Sequence, residues 1–360
     1  VVLVGAVVAF FTLEGIYAVV ENEAKLSLTR RFLYQLRERG AEAGGLDRFI
    51  RQESELEDRL ELFKRNRVVL GNTPFDELAT EEARTVERHP GGGTRFRPNL
   101  TVRSGYLRSR IYDALDPITF NQALREGEPP DPELEAFLAR HALGVVTWTT
   151  DGDGFRTTLP AVAVEPVLAF VGSSPCFGAF LADDETLASV LQRRNPTVRF
   201  VNACITWTKV GEHAAMLEGL IAQYGDRLVG VVYTLNERNF KRLDRALAGI
   251  DRMAELLDEV GADYRALVYF HSIYETLPDL FRSHRRLGES FGNRLEILAR
   301  ARERCFTTVD TFELVDRYRQ QRVSSFAGVE LYVDHGHFSG EGNRLVADAL
   351  PPTPRGGRGG

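Results

Sequence analysis

The sequence has few of the residues that build disulfide-rich or metal-bound scaffolds. Its 360 residues include three cysteines, Cys176, Cys204 and Cys305, which are too few and too widely spaced for a disulfide framework or a cysteine metal site. The odd count leaves at least one thiol unpaired, and we expect all three to act as small buried apolar side chains. The cysteines therefore leave the redox compartment open.

An excess of charge of one sign is also absent. The chain has 45 Lys and Arg against 51 Asp and Glu, a net charge of −6, with no basic footprint for phosphate groups. It has no zinc-finger, helix-turn-helix or RNA-binding aromatic pattern. These absences exclude nucleic acid as an expected partner, and the length predicts about two domains.

One long apolar run is present, from Val1 to Val20, interrupted by Glu14. Since about 20 apolar residues span a bilayer core as a helix, we predict a transmembrane anchor over 1–20. A cleaved signal peptide and a buried soluble helix are the alternatives. The basic residues Lys25, Arg30 and Arg31 follow the run and favour a cytoplasmic position for the rest of the chain.

Residues 21–150 carry no chemical motif. Helical spacing of apolar residues predicts one or two amphipathic helices between Lys25 and Arg67, and the glycine-rich stretch His89–Gly93 ends that pattern. From there to about Thr150 we expect an irregular, membrane-proximal region with one short helix from Pro132 to His141. The tail at 351–360, rich in Pro, Gly and Arg, is expected to be disordered.

The pattern changes after residue 150, where apolar runs rich in β-branched and aromatic residues alternate with helical segments. The predicted strands are Val167–Val171, Val198–Val201, Leu228–Tyr233, Ala266–Phe270 and Phe306–Val309. The predicted helices are Asp183–Arg193, Gly211–Tyr224, Asn239–Val260 and Glu289–Arg304. Continuous apolar strands alternating with helices indicate a parallel sheet covered on both faces. We therefore predict a doubly wound, flavodoxin-like α/β/α sandwich of about five strands over 151–350, with ligands beyond the carboxyl ends of the strands.

Polar residues follow these strand ends. The first strand runs into Gly172-Ser173-Ser174, where a serine hydroxyl would lie in the crevice near backbone N–H groups. An ordinary serine turn explains this segment equally well. The third strand ends near Asn236, whose amide has the chemistry of an oxyanion donor or, alternatively, of a helix cap.

A carboxylate and an imidazole occur together in the last part of the chain. Asp334 and His337 are separated by the spacing that brings the two side chains together within one turn. A carboxylate on one ring nitrogen leaves the other nitrogen to accept a proton from serine. A metal site built on His335 and His337 is a remote alternative, because no third or fourth ligand is evident.

Together these residues resemble the SGNH (GDSL-type) hydrolase superfamily over about 154–350. Residues 167–174, followed by Phe177-Gly178 and Asp184-Glu185-Thr186, resemble its first block, with Gly-Ser-Ser in place of Gly-Asp-Ser. The segment Asp153–Arg156 is similar to the lead-in of many bacterial members. Tyr332–Ala349 resembles the last block, with matching residues at Asp334, His337, Gly342, Asn343 and Ala347.

The resemblance implies a role for each matching residue. Ser174, Asp334 and His337 would form the catalytic triad, and the oxyanion would be held by the Ser174 and Trp207 N–H groups and the Asn236 amide. Ser173, Thr206 and His271 are minor candidates for substrate contact. Trp207 stands where the superfamily has glycine, and Thr234 and Glu237 replace the more common Gly and Asp. These departures put the oxyanion site in question.

We therefore predict a serine esterase or O-acyl (acetyl) transferase that acts on an acylated glycan or lipid, anchored in a bacterial cell envelope, with no cofactor and no metal. The alternative is a weakly active or inactive SGNH-like module that binds a glycan or a protein partner. The remaining histidines are expected to be surface or capping residues: His89, His141, His213 and His284. The oligomeric state and the acyl group stay open.

Overall fold

The computed structural model describes residues 61–63, 65–70, 85–107, 118–129, 131–206, 208–236, 243–277, 287–324, 327–334 and 336–353. The strands are β1 Val68–Leu70, β2 Val86–Arg88, β3 Thr94–Phe96, β4 Thr101–Leu107, β5 Ile118–Ala123, β6 Ala142–Thr149, β7 Val167–Val171, β8 Arg199–Asn202, β9 Leu228–Asn236, β10 Tyr264–Phe270 and β11 Thr307–Asp310. The α-helices are α1 Pro132–His141, α2 Ser174–Phe177, α3 Leu187–Arg194, α4 Val210–Tyr224, α5 Leu243–Glu259, α6 Ile273–Thr276, α7 Leu287–Glu303, α8 Thr311–Gln320 and α9 Gly340–Ala349.

The largest sheet has five parallel strands in the order β11-β10-β9-β7-β8. Every residue of β7 is buried, as expected for a strand covered on both faces. The covering helices form two contacting groups, one of α4, α5 and α7 and the other of α3, α8 and α9. Counted from its first strand, the sheet has the order 2-1-3-4-5, which is the flavodoxin-like arrangement.

The predicted sandwich is confirmed at the level of its strands and helices. All five predicted strands are present, with ends that shift by up to three residues, and α1 has the predicted bounds. The buried apolar side chains of β7, β9 and β10 form the middle of one continuous core. The apolar runs identified these strands because only buried strands lack the polar residues that alternate on an exposed face.

The prediction of an irregular region between Gly93 and Thr150 is wrong. Strands β2 and β3 pair antiparallel, and β1, β5, β4 and β6 form a four-stranded sheet in that order. Strands β1, β2 and β3 have three residues each, and β4 contains Arg103 and Gly105, so these segments lack the apolar continuity of the main sheet. Their identity as strands depends on pairing with residues far away in the chain.

The chain divides into two compact units. The first includes the described residues within 61–70, 105–121 and 129–144, and its small core is formed by Leu62, Phe63, Val68, Phe120, Leu134 and Leu138. The second includes residues 74–104, 122–128 and 145–360 and contains the five-stranded sheet. Among the described residues, no helix is long and apolar enough to cross a membrane. The predicted anchor at 1–20, the amphipathic helices before Glu61 and the tail after Thr353 lie outside these residues.

Candidate active site

The strand order creates a crevice at one position of the sheet edge. In a 2-1-3-4-5 sheet the chain leaves the first strand in one direction and the third in the other, so a crevice opens between their carboxyl ends. Here these strands are β7 and β9, which pair directly, with Val171 opposite Tyr233. Ser174 follows β7 and Asn236 ends β9. The fold therefore brings together two of the predicted site residues.

The turn after β7 requires a glycine. Gly172 lies against β9, where a Cβ atom would collide with the side chain of Thr234 and lie 2.8 Å from its carbonyl oxygen. The chain then enters α2, whose first residue is Ser174 and whose second is proline, a residue favoured at helix starts. Ser174 is partly exposed, whereas Ser173 is buried. Of the two adjacent hydroxyls, the one on Ser174 is the more accessible.

Asn236 reaches across the crevice to the neighbour of Ser174. Its side-chain Nδ2 donates a hydrogen bond of 3.1 Å to the Ser173 hydroxyl. An amide nitrogen carries two N–H bonds, and Ser173 accepts one of them. The Ser173 hydroxyl thus holds the Asn236 side chain at the end of β7.

Asp334 and His337 form the closest polar pair of the site. The imidazole Nδ1 lies 2.7 Å from Oδ2 of Asp334 and 2.8 Å from Oδ1. Oδ1 also accepts the backbone N–H groups of Gly336 and His337, both at 2.7 Å. These bonds fix the carboxylate, which in turn fixes the ring with Nε2 directed away from it. The predicted pairing of these two residues is present in the structure.

The loop of His337 packs against the segment that follows Ser174. The Phe180 ring meets the His337 imidazole edge-on, with ring centres 5.5 Å apart. At the start of α9, the buried Asn343 donates to the carbonyl of Glu185. Gly342 is required there, because a Cβ atom would lie 2.8 Å from the Phe338 ring. Asn343 therefore holds the last block on the first one, and Gly342 lets α9 pack closely on Phe338.

The segment after β8 is bonded to α2 in two ways. Asn202 Nδ2 donates to the Cys176 carbonyl at 3.3 Å, and its Oδ1 accepts the Cys204 N–H at 3.2 Å. The side chains of the same two cysteines form a disulfide, with Cα atoms 5.8 Å apart. The expectation that all three cysteines are plain buried apolar residues is therefore wrong: two are bonded, and Cys305 is exposed. Their spacing of 28 residues gave no local signal of the bond.

Trp207, the predicted oxyanion donor of this segment, lies outside the described residues. The residues on either side of it, Thr206 and Thr208, are described. The Thr206 hydroxyl is buried without a hydrogen-bond partner among the described residues. The Thr208 hydroxyl lies 2.9 Å from the Ile205 carbonyl and 3.2 Å from that of Gly172. Thr208 thereby connects this segment to the end of β7.

Two histidines that we expected on the surface are buried. His213 is 0% exposed, with Nε2 at 3.2 Å from the Thr208 hydroxyl and Nδ1 at 3.3 Å from the Tyr233 hydroxyl. Burial lowers the pKa of His213 to about 4, so the ring is neutral at pH 7. His89 is also buried and contacts Gln223 at 2.9 Å. Their flanking residues gave no sign of this burial, which results from helix and strand packing.

His271 lies in a buried charged cluster at the end of β10. Its Nδ1 is 2.9 Å from Glu275, its Nε2 is 3.0 Å from Asp310, and Arg294 pairs with the same aspartate. Burial acts to lower the pKa of His271, but the hydrogen bonds and charges of Asp310 and Glu275 outweigh it and raise that pKa. The imidazole is fully buried, and this disfavours the predicted substrate contact.

Arg156 is a residue of the lead-in segment whose position the sequence did not predict. It is fully buried, its Nε lies 2.8 Å from Asp183, and its Nη2 donates to the Leu181 carbonyl at 2.7 Å. The guanidinium also stacks over the Phe177 ring at the end of α2. The side chain therefore holds the segment that follows Ser174, and its only sequence signal was the Gly154-Phe155-Arg156 motif.

No group of metal-ligating side chains occurs in the part of the chain that the structure describes. His335, one half of the alternative metal pair, lies outside those residues. The other half, His337, is bonded to Asp334 as described above.

Known proteins resemble this chain in fold. Models of known families give no match, and curated proteins give none. Among solved structures, an acetyl xylan esterase, AlAXEase, is 16% identical with a TM-score of 0.41, covering 51% of this chain and 96% of that one. A lipase/acylhydrolase from Enterococcus faecalis is 18% identical with a TM-score of 0.36, covering 52% and 99%. A member of the lipolytic G-D-S-L family from Veillonella parvula is 13% identical with a TM-score of 0.38, covering 51% and 94%.

The chain resembles the SGNH superfamily. The resemblance rests on the sequence blocks of residues 154–350, and two of the similar structures are described as G-D-S-L lipolytic proteins. With TM-scores below 0.5 and identities below 25%, the similarity carries no argument about the activity or substrate of this chain. The chemistry of the SGNH-like domain must be argued from its own residues.

Proposed function

We propose that the SGNH-like domain is a serine-dependent ester hydrolase or O-acyltransferase with Ser174 as nucleophile. One observation carries the proposal: the Asp334–His337 pair, with Nδ1 2.7 Å from the carboxylate, lies in the block that packs on the segment following Ser174. A histidine oriented in this way has Nε2 as its remaining basic atom. Ser174 is partly exposed at the crevice between β7 and β9, whereas Ser173 is buried.

The reaction would proceed in two steps that share one base. Ser174 Oγ forms a bond to the ester carbonyl carbon while its proton passes to His337 Nε2, and the C–O bond to the alcohol then breaks as that alcohol takes the proton. Water or a sugar hydroxyl next loses its proton to His337 and attacks the acyl carbon, and the bond from that carbon to Ser174 Oγ breaks as Oγ takes the proton back from His337. Asp334 holds the ring and stabilises its charged form throughout.

The oxyanion of each tetrahedral intermediate would be held by three donors. These are the N–H groups of Ser174 and Trp207 and the amide of Asn236. The position of Asn236, bonded to the neighbour of Ser174, supports its part. Removal of one such donor typically lowers kcat by about a hundred- to a thousandfold, so a defective Trp207 contact would leave weak chemistry.

The substrate class follows from the same proposal. An acyl ester of a glycan or lipid fits a membrane-anchored enzyme of the bacterial cell envelope, and the apolar run at 1–20 motivates that location. The domain would need no cofactor. The second candidate, a glycan- or partner-binding module without activity, is favoured by the replacement of the oxyanion glycine with Trp207.

A fluorophosphonate probe tests the nucleophile, and the neighbouring serines provide a matched pair. We expect the wild-type chain and Ser173→Ala to be labelled, and Ser174→Ala to be unlabelled at equal folding, with peptide mass spectrometry locating the adduct. His337→Ala should label at least about a hundredfold more slowly, since general-base catalysis contributes about 10²–10⁴-fold.

Other results would separate the candidates. Labelling that is lost in Ser173→Ala and kept in Ser174→Ala would show that Ser173, and not Ser174, is the nucleophile. Absence of labelling in a well-folded wild-type protein would favour the binding module. If the chain is labelled, aryl esters of graded length then distinguish acetyl from long-chain acyl groups.

A further inference from the structure

A hydrogen-bonded relay of the buried Tyr233 and His213 and the half-buried Thr208 connects strand β9 and helix α4 to the end of β7. The Tyr233 hydroxyl of β9 lies 3.3 Å from Nδ1 of His213 in α4. His213 Nε2 lies 3.2 Å from the Thr208 hydroxyl, two residues before α4 begins. Tyr233 and His213 are both 0% exposed. Because the Tyr233 and His213 side chains are buried away from water, their polar atoms depend on each other and on Thr208 for hydrogen bonds.

The donors and acceptors available to Thr208 fix the direction of each hydrogen bond in this relay. The Thr208 hydroxyl has one proton and two carbonyl oxygens within 3.2 Å, those of Ile205 and Gly172. Carbonyl oxygens only accept, so Thr208 donates to them and must accept from His213. His213 therefore carries its proton on Nε2. Its Nδ1 then accepts from the Tyr233 hydroxyl, which burial keeps protonated by raising its pKa.

The hydrogen-bonded relay ends on the backbone that carries the proposed nucleophile. Gly172 is the residue before Ser173, and its carbonyl accepts from the Ile205 N–H at 3.1 Å as well as from Thr208. Residues 205 and 208 thus both bond to the end of β7, on either side of position 207. At the other end of the segment, Cys204 is bonded to Cys176. The segment is held at three places against the turn of Ser174.

We infer that His213 and Thr208 are positioning residues for oxyanion stabilisation. By bonding to the Gly172 carbonyl, the relay Tyr233–His213–Thr208 holds the turn from Gly172 to Ser174, which carries the proposed nucleophile and its own N–H donor to the oxyanion. The inference rests on the proposed function. It adds that buried side chains of α4 and β9 help to set the position of this turn.

Variants of Thr208 test the relay in the full chain. Thr208→Val keeps the shape of the side chain and removes the hydroxyl, whereas Thr208→Ser keeps the hydroxyl. With aryl acetate as substrate, we expect Thr208→Val to lower kcat by about 10- to 100-fold with little change in KM, since small displacements of catalytic groups have costs of this order. Thr208→Ser should restore kcat to near the wild-type value.

Thr150→Val is the matched control. The Thr150 hydroxyl is buried, donates to the Arg97 carbonyl and accepts the Leu100 N–H, so its loss removes the same kinds of bonds outside the site. We expect this variant to lower the melting temperature and leave kcat unchanged. Equal losses of kcat in Thr150→Val and Thr208→Val would overturn the inference, as would wild-type kcat in Thr208→Val.

The tautomer of His213 gives a readout that does not depend on activity. Nitrogen-15 NMR of the wild-type chain should show His213 as the neutral Nε2–H tautomer at pH 7, and Tyr233→Phe should abolish this preference. The Nδ1–H form in the wild type would overturn the relay. A wild-type chain without turnover or probe labelling would instead overturn the proposed function, and the catalytic part of the inference would fail with it.

Discussion

At the scale of single residues, burial decides what the histidines do. His337 is oriented by Asp334 at the end of the last block, His271 is held between two carboxylates, and His213 is neutral inside the core. The same type of side chain thus has three different environments within one domain, which differ in the charged groups and the burial around the imidazole. Sequence spacing identified only the first, because its partner lies in the same turn.

The low pKa of His213 predicts a loss of stability in acid. In the unfolded chain an imidazole has its ordinary pKa of 6.5, whereas burial lowers the pKa of His213 to about 4 in the folded protein. Between these values the unfolded state binds the proton and the folded state does not, so the free energy of unfolding falls as pH decreases from about 6.5 to 4. At about 1.4 kcal/mol per pKa unit, the loss is about 3 kcal/mol.

Urea unfolding of the wild-type chain and of His213→Gln between pH 7 and pH 4 checks this linkage. We expect the wild type to lose about 3 kcal/mol more than the variant over this range. The raised pKa of His271 acts in the opposite sense, since its contribution is present below 6.5 and is lost as pH rises through the folded value. It is common to both proteins and cancels in the difference. Parallel pH profiles would contradict the assignment.

At the scale of elements, the cluster around Asp310 connects three of them. Asp310 ends β11 and caps α8 by accepting the Phe312 N–H, Arg294 comes from α7, and His271 follows β10. Burial acts to raise the pKa of Asp310, but His271 and Arg294 outweigh it and lower that pKa. Each charge in this dry region is balanced by another, so the cluster tolerates burial.

We expect removal of one charged residue of this cluster to lower the free energy of unfolding more than removal of a partly exposed ion pair on the same helix, α7. Arg294→Met leaves Asp310 and Glu275 with His271 as their remaining cation in the cluster, and we expect the free energy of unfolding to fall by about 3 kcal/mol or more. The control is Arg300→Met on α7, whose ion pairs with Asp251 and Glu303 are partly exposed and should contribute less than about 1 kcal/mol. Chemical unfolding at pH 7 measures both, and equal effects would show that the cluster is not buried in solution.

At the scale of the whole molecule, the disulfide bears on where the chain resides. Disulfides persist in oxidising compartments and are rare in the cytosol. Lys25, Arg30 and Arg31 favour the opposite side on the basis of charge alone. The bond joins α2 to the segment after β8, and so it favours an oxidising compartment for this domain.

Thiol counting tests this expectation on the intact chain. Cells that produce the full chain are quenched with acid, and the protein is alkylated under denaturing conditions with a maleimide of high mass. We expect one modified thiol, at Cys305, and three after prior reduction with a dithiol, which converts the disulfide to two thiols. Cys305→Ala should then show none without reduction. Three modified thiols without reduction would place the chain in a reducing compartment.

The sequence by itself determined the architecture and one contact of the site. The alternation of apolar strands and helices after residue 150 predicts the parallel sandwich, because both signals are local and regular. The Asp334–His337 pair is likewise local. The tertiary structure decided the rest: that β9 lies beside β7 and brings Asn236 to Ser173, that Cys176 meets Cys204, that His213 is buried against Thr208, and that strands β2 to β6 occur between Val86 and Thr149. These contacts join residues distant in the chain, and their free energy comes from packing and from excluded water, which no local pattern encodes.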